Sequence, residues 1–356
     1  MAHSSTTPRP LDALRARLGL YAALSKARLS TLVLATTAAA YLLARRGPLD
    51  LPELAATLLG TLLCAFSANA FNQVWERRRD ARMERTKLRP LPSGRLGVGH
   101  AATVATLQLV LGQALLLGGT NPLTAGLALS TVLLYVLVYT PLKPRSTLNT
   151  LVGAICGALP PVLGWTAATG RLAPGAWLFG LLLFLWQVPH FLALAWLYRE
   201  DYARGGFRML PVVDPGGQLT GALSTLYSLA LVPLGLAFAM AGLAGAPSAA
   251  GFAALGLVLV LLSLRLWRRL DLRSARQLFL ASVIVLPLAL ILLVSDGGRH
   301  AGHRGPSAQS LRAELAGEPA PAVATATPGA RGSSAGATPG SSPSRSSSAC
   351  WRSPGS

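Results

Sequence analysis

The sequence predicts an all-α membrane protein, with nine transmembrane helices followed by a disordered C-terminal tail. Three observations carry that reading. The 356 residues are 52% hydrophobic and only 13% charged, with a mean hydropathy of +0.48, which excludes an ordinary soluble domain. Nine apolar stretches, each roughly 20 residues, are long enough to cross about 30 Å of hydrocarbon as helices. Finally, Lys and Arg are distributed unevenly between alternate loops. With the N-terminus in the cytoplasm, twenty-three fall on that side and three (Arg45, Arg46 and Arg171) on the other. This is the bias that the positive-inside rule gives for an odd number of spans.

Residues 1–27 are polar and basic, without the short apolar core and small-residue cleavage site of a secretory signal. The segment is short for a transit peptide and carries Asp12, so a cytoplasmic N-terminal segment at a bacterial inner membrane is expected. The predicted spans are 28–45, 52–75, 98–118, 122–140, 147–168, 174–198, 218–241, 247–267 and 275–295. Short Gly/Pro breaks separate the third from the fourth and the seventh from the eighth. Residues 28–295 therefore form one membrane domain. From 296 to 356 the chain is rich in Gly, Ser, Pro, Ala and Thr, a composition that cannot bury enough surface to fold. The formal charge of +19 sits in loops between apolar runs, so it speaks for topology rather than for nucleic acid. Cys64, Cys156 and Cys350 have no metal or disulfide spacing.

Residues 72–86, NQVWERRRDARMERT, break the apolar pattern. Asn72, Glu76 and Asp80 recur at i, i+4 and i+8, so a helix projects all three from nearly one face. Acidic groups next to a membrane span are costly and usually functional. Two carboxylates and a carboxamide one turn apart suit Mg²⁺, a hard ion that prefers oxygen and bridges readily to phosphate. Arg85, Lys87, Arg89 and Arg95 follow, supplying positive charge for a diphosphate. The competing readings are a solvated helix end paired with Arg77–Arg79 and a basic run that only sets topology. For Lys26 and Arg28, a place at the cytoplasmic mouth and contact with lipid headgroups both stay open.

A second polar cluster, WQVPHFLALAWLYREDYARGGFRMLP at 186–211, also ends an apolar run with acids, Glu200 and Asp201, followed by Arg204 and Arg208. Together with NQVWERRRDARMERTKLRPLPSGRL, YTPLKPRSTLNTLVGAICGALPPVLGW and an N-terminal YAALSKAR, it resembles the protoheme IX farnesyltransferase (haem O synthase) family. That family is a branch of the UbiA-type intramembrane prenyltransferases. The resemblance covers residues 21–295 in order. WQVPHF and DYARGGFRMLP are the elements most specific to the haem branch.

The resemblance implies a bundle around a central cavity with its active site at the cytoplasmic end. Asn72, Glu76 and Asp80 match the first metal–diphosphate motif, with Glu where many relatives have Asp and with Arg78 where some carry a further acid. Asp201, with Glu200 beside it, falls in the second motif, which is less acid-rich here. The implied reaction is Mg²⁺-assisted ionisation of farnesyl diphosphate, with Glu76, Asp80 and Asp201 as metal ligands. Arg85, Lys87, Arg89, Arg95 and Lys143 would meet the diphosphate, and the Tyr139 ring the allylic cation. The implied acceptor is haem b, with His190 as an iron or propionate contact; the alternative is a core histidine bonded to a neighbouring helix. A haem A synthase is the implied partner. Two other functions compete. A quinone-type aromatic prenyltransferase is disfavoured by WQVPHF, and a transporter by acids clustered at one face rather than near mid-membrane.

Overall fold

Each apolar run becomes a helix whose ends are set by local capping chemistry. In the computed structural model, residues 10–301 are described. Every one of them falls in the unit Met1–Arg304; a second unit, Gly305–Ser356, lies outside the described residues, and with it nearly all of the predicted disordered tail. Among the described residues, nine helices are long and apolar enough to cross a membrane. In order they are Ala27–Ala44, Leu51–Asp80, Val98–Gly119, Pro122–Leu142, Asn149–Thr169, Pro174–Leu197, Gln218–Met240, Ala246–Arg269 and Leu272–Asp296. There are no strands among the described residues, so the all-α, multi-pass reading holds.

The second span starts at Asp50, whose side chain accepts the Glu53 amide at 3.0 Å, with a proline in the first turn. Asn121 caps the fourth span in the same way, through the Thr124 amide at 3.0 Å. Gly170, at φ 68°, closes the fifth span in the left-handed conformation that a side chain would resist. Pro160 and Pro161 sit inside that span without breaking it, and the Pro160 carbonyl accepts the Thr37 hydroxyl of the first span at 3.1 Å.

Five features depart from the predicted pattern. The N-terminal segment is not featureless: Pro10–Leu24 is a helix, with Leu11, Leu14 and Leu18 exposed at i, i+3 and i+7. The second span runs past residue 75 to Asp80, and Arg77–Arg79 in its last turn complement the helix dipole. The fourth span turns π-helical over Leu134–Tyr139, and Thr140 Oγ1 donates to the Tyr135 carbonyl at 2.8 Å. The seventh divides into Gln218–Leu231 and Leu234–Met240 at Pro233, and the ninth continues to Ala301.

The first span packs on the second, fifth and ninth, the sixth packs on the fifth, seventh and ninth, and the eighth packs between the seventh and ninth. The second and third approach closely because Gly60 and Gly112 face each other; a Cβ on Gly112 would meet Cys64 Sγ at 2.9 Å. At one end, three loops are laced together. Arg208 N donates to the Lys143 carbonyl at 2.8 Å, and Asn149 Nδ2 to the Arg208 carbonyl at 3.1 Å. Arg79 reaches the carbonyls of Gly205 and Gly206 at 3.1 and 2.9 Å. The chain thus gathers its basic loops over one end of the bundle.

Candidate active site

A cavity of about 350 Å³ opens at that end, lined by the first, second, fourth, fifth and sixth spans. Its deeper wall is apolar, with Val33, Ala65, Ala68, Val132 and Leu163 among the residues, while its mouth carries Lys26, Glu76, Asp80, Arg85, Arg89 and Lys143. Along the second span the lining runs from Thr61 to Asp80, about 28 Å at 1.5 Å per residue. Such a site accepts a long apolar chain with an anionic head.

The predicted triad lies on one helix face, and each member meets a cation. Asn72, fully buried, accepts Lys26 Nζ on Oδ1 at 3.0 Å and donates from Nδ2 to Thr140 Oγ1 at 3.0 Å. Glu76 is 4% exposed, and Lys143 Nζ lies 2.8 Å from Oε1 and 3.1 Å from Oε2. Asp80 is 2% exposed, and its Oδ2 accepts Arg89 at 2.7 Å. Buried carboxylates persist only when paired, and here the two pairing cations come from two other segments. Arg77–Arg79, the competing partners, do not provide it.

The cations differ in charge state. Lys143 is under opposed influences: burial is the largest and lowers its pKa, but the charge and hydrogen bond of Glu76, with Tyr135 and Tyr202, together outweigh it, so the net shift is upward and the ammonium is held protonated. Lys26 is pushed down to about 7, by burial first and then by Arg89 and Lys143, against the pull of Glu76 and Asp80. Its backbone takes φ 49° and ψ 48°, a left-handed conformation unusual for a side-chain-bearing residue, and from it the side chain reaches Asn72.

Of the remaining predicted residues, Arg85 and Tyr139 line the cavity. The Arg85 guanidinium lies 5.2 Å from the Tyr198 ring centre and 5.6 Å from that of Tyr202. One face of Tyr139 holds the Lys143 ammonium at 4.6 Å, so that ring already meets a cation. Gly153 leaves room for Tyr139, because a Cβ there would come within 2.8 Å of Cε2.

Four residues sit apart from the cavity lining. Lys87 pairs with Glu84 at 2.5 Å on the surface, and Arg95 donates to Ser93 Oγ and the Leu88 carbonyl. Asp201 does not join Glu76 and Asp80. Its Oδ1 accepts the Glu84 amide at 2.8 Å and Arg204 at 2.7 Å, and its Oδ2 accepts the Arg85 amide at 3.1 Å. Burial raises its pKa, but Arg204 and the Arg85 and Glu84 amides outweigh that and hold it below the usual carboxylate value. This is a clasp between two loops, and it sets Asp201 apart from Glu76 and Asp80. His190 packs between the sixth and ninth spans, where Nδ1 lies 2.8 Å from Ser282 Oγ.

The sequence reading missed three residues. For Lys26 the sequence leaves mouth and headgroup both open, and its charge reads equally as topology. Thr140, which fixes the Asn72 amide, carries no signal beyond a polar residue at a span end. Gln187 lines the cavity with Phe191 and Leu194 at i, i+4 and i+7, a register visible in WQVPHFLAL once one face is known to be the wall.

The donor set suits Mg²⁺ in one way only. Among the described residues no group of three His, Cys, Asp or Glu converges, but Glu76 and Asp80 present hard oxygens one turn apart beside the cations Lys143 and Arg89. Mg²⁺ is commonly held by one or two carboxylates completed by water and substrate phosphates. The residues fit that arrangement.

A family model described as the UbiA prenyltransferase family matches residues 33–286. A mitochondrial protoheme IX farnesyltransferase of Arabidopsis thaliana is 42% identical over 269 residues, covering 75% of this chain and 62% of the relative. The mitochondrial protein of that name from Homo sapiens is 43% identical over 288 residues, with 80% and 64% covered. The protoheme IX farnesyltransferase of Solibacter usitatus is 40% identical over 285 residues, with 78% and 98% covered. The chain thus spans less than two thirds of the plant and human proteins and nearly all of the bacterial one. The fold is similar to that of a digeranylgeranylglyceryl phosphate synthase (TM-score 0.67, 16% identity, 79% of this chain and 99% of the other). It is also similar to a UbiA homologue of Archaeoglobus fulgidus bound to GPP and Mg²⁺ (TM-score 0.56, 15% identity, 77% and 99%). On the family model and the length shared with the bacterial relative, the chain belongs to the UbiA prenyltransferase family, in its protoheme IX farnesyltransferase branch.

Proposed function

We propose that the protein transfers a farnesyl group from farnesyl diphosphate to a vinyl group of haem b, and that water completes a hydroxyethylfarnesyl side chain, giving haem O. The single observation that carries this reading is the oxygen ladder Asn72–Glu76–Asp80, each rung facing a cation at the mouth of an apolar cavity.

The chemistry follows from that arrangement. Lys143, Arg85 and Arg89 stand where negative charge grows as the allylic C–O bond breaks and its electron pair leaves with the diphosphate. Mg²⁺ held by Glu76 and Asp80 would supply Lewis-acid stabilisation to that leaving group. The UbiA homologue of A. fulgidus, bound to GPP and Mg²⁺, supports the choice of metal. The apolar wall keeps water from the farnesyl cation until the vinyl π-electrons attack it, forming the new C–C bond. The cation left on the vinyl carbon then takes water and releases a proton. Lys87 and Arg95 contribute to the field around the mouth rather than to direct contact.

The position of these groups beside the cation-rich loops supports an active site on the cytoplasmic face of a cell inner membrane, with the N-terminus on the same side. Haem O made there would pass on to haem A formation, and a haem A synthase is the partner this product calls for. The test is incubation of the protein in lipid vesicles with haem b, farnesyl diphosphate and Mg²⁺, followed by mass analysis of extracted haem. A product carrying one farnesyl and one water is expected. Unmodified haem, or prenylation of a quinone precursor instead, would refute the reading.

A further inference from the structure

The reaction above makes two opposite demands on one cavity. Water must stay away from the farnesyl cation, yet one water must reach the cation that the vinyl group becomes. A largely apolar wall meets both demands if it carries a polar anchor just below the diphosphate.

The fifth span sets the depth of such an anchor. Gly153 leaves room for the Tyr139 ring, which holds the Lys143 ammonium beside Glu76. Gly157, four residues on and about 6 Å deeper, leaves room for Gln187 of the sixth span. A Cβ there would lie 2.0 Å from Gln187 Oε1 and 2.6 Å from Nε2. The carboxamide thus rests against bare backbone, one turn below the cations of the mouth.

Gln187 is 4% exposed and lines the cavity, and among the described residues its carboxamide has no hydrogen-bond partner. A buried amide left unpaired is costly, and a water held there offsets the cost. Other polar groups of the lining are less free to hold one. Thr131 donates its hydroxyl to the Leu127 carbonyl and Asn69 its amide to the Ser25 carbonyl. The Ser30 and Thr61 hydroxyls lack partners but are fully enclosed, whereas both Gln187 amide atoms keep accessible surface.

We propose that Gln187 is the positioning residue for the water that completes the product. This rests on the haem-acceptor reading above. Oε1 accepts one O–H of the water, which turns an oxygen lone pair towards the cation on the vinyl carbon. That pair forms the C–O bond, and the surplus proton leaves with the diphosphate released in the first step. Without an oriented water, the cation loses a proton from the adjacent carbon to the same diphosphate. It then closes to an alkene, lighter than the alcohol by one water.

The experiment incubates the full chain in lipid vesicles with haem b, farnesyl diphosphate, Mg²⁺ and heavy-oxygen water. Mass analysis of extracted haem reads the ratio of alkene to alcohol. Wild type is expected to give the alcohol, carrying one heavy oxygen. Gln187→Leu raises the ratio at least about ten-fold. Gly157→Ala, which displaces the carboxamide without removing it, moves the ratio the same way. The ratio is read on whatever product forms, so a lower yield of folded variant does not hide it. An unchanged ratio in Gln187→Leu overturns the proposal, and Gly157→Ala decides if the leucine variant does not insert. A shift confined to Tyr135→Phe, which removes another hydroxyl of the lining, also overturns it. So does a Gln187→Leu protein that binds farnesyl diphosphate yet makes neither product, because the C–C bond forms before water enters. Wild type that leaves haem unmodified overturns the haem-acceptor reading instead.

Discussion

The two acidic clusters are built from the same residue types beside the same kind of basic run, and they meet different kinds of partner. Glu76 and Asp80 turn into the cavity and meet ammonium and guanidinium groups from distant segments. Asp201 is outside the cavity lining and is held by two backbone amides and a neighbouring arginine. The difference lies in the partners. Mobile side-chain cations can leave a carboxylate when a diphosphate and its metal arrive, whereas backbone amides cannot without undoing the loop. A carboxylate met by flexible cations is therefore poised to exchange partners, and one met by amides serves architecture. Asp201 still matters to the first cluster, because the Arg85 amide it holds belongs to a cavity-lining residue.

That comparison can be broken at several points. The largest effect is expected from Asp80→Ala, which should lower prenyl transfer by about 10²–10³-fold, measured by haem product mass, while the protein stays inserted. Lys143→Met leaves Glu76 buried without its cation, at a cost of about 3–5 kcal/mol, read as a lowered Tm in detergent; Lys143→Arg should recover most of it. Asp201→Asn should reduce turnover by about ten-fold or less without changing the Mg²⁺ concentration needed, since it loosens a loop and removes no ligand. Gly153→Ala drives a methyl group into the Tyr139 ring and should destabilise the protein by about 1–3 kcal/mol, with the cavity narrowed on that side. The smallest change is expected for Lys87→Ala and Arg95→Ala, within about two-fold in turnover, because both groups are outside the cavity and screened.

Lys26 gives the comparison a pH dependence. Its pKa near 7 in the free protein rises when an anion arrives beside it. At pH 8 the free side chain is mostly neutral and the bound one charged, so diphosphate binding should take up close to one proton. At pH 6 the side chain is already charged and uptake should vanish. Calorimetry in buffers of different ionisation enthalpy reads this directly, and Lys26→Met should abolish the uptake at pH 8.

The spans were legible because their signal is additive: each is an unbroken apolar run, and an error in one would have spoiled the charge alternation of all that follow. The first site motif was legible for a related reason, since i, i+4 and i+8 share a face on any helix. The placements that periodicity could not supply share a cause as well. Whether Asp201 or Lys87 points inward depends on how a loop folds back, and no periodicity describes that. Lys26 reaches the site through a left-handed turn that its side chain disfavours, so local propensity argued against it. In WQVPHF the eye goes to the histidine, but helical register puts Gln187 on the wall and His190 beside it.

The most direct measurement is the Mg²⁺-dependent affinity for a non-hydrolysable farnesyl thiodiphosphate in Asp80→Asn and Asp201→Asn, side by side. Asp80→Asn is expected to lose the Mg²⁺ enhancement and Asp201→Asn to keep it. Enhancement that survives in the first and disappears in the second would contradict the account.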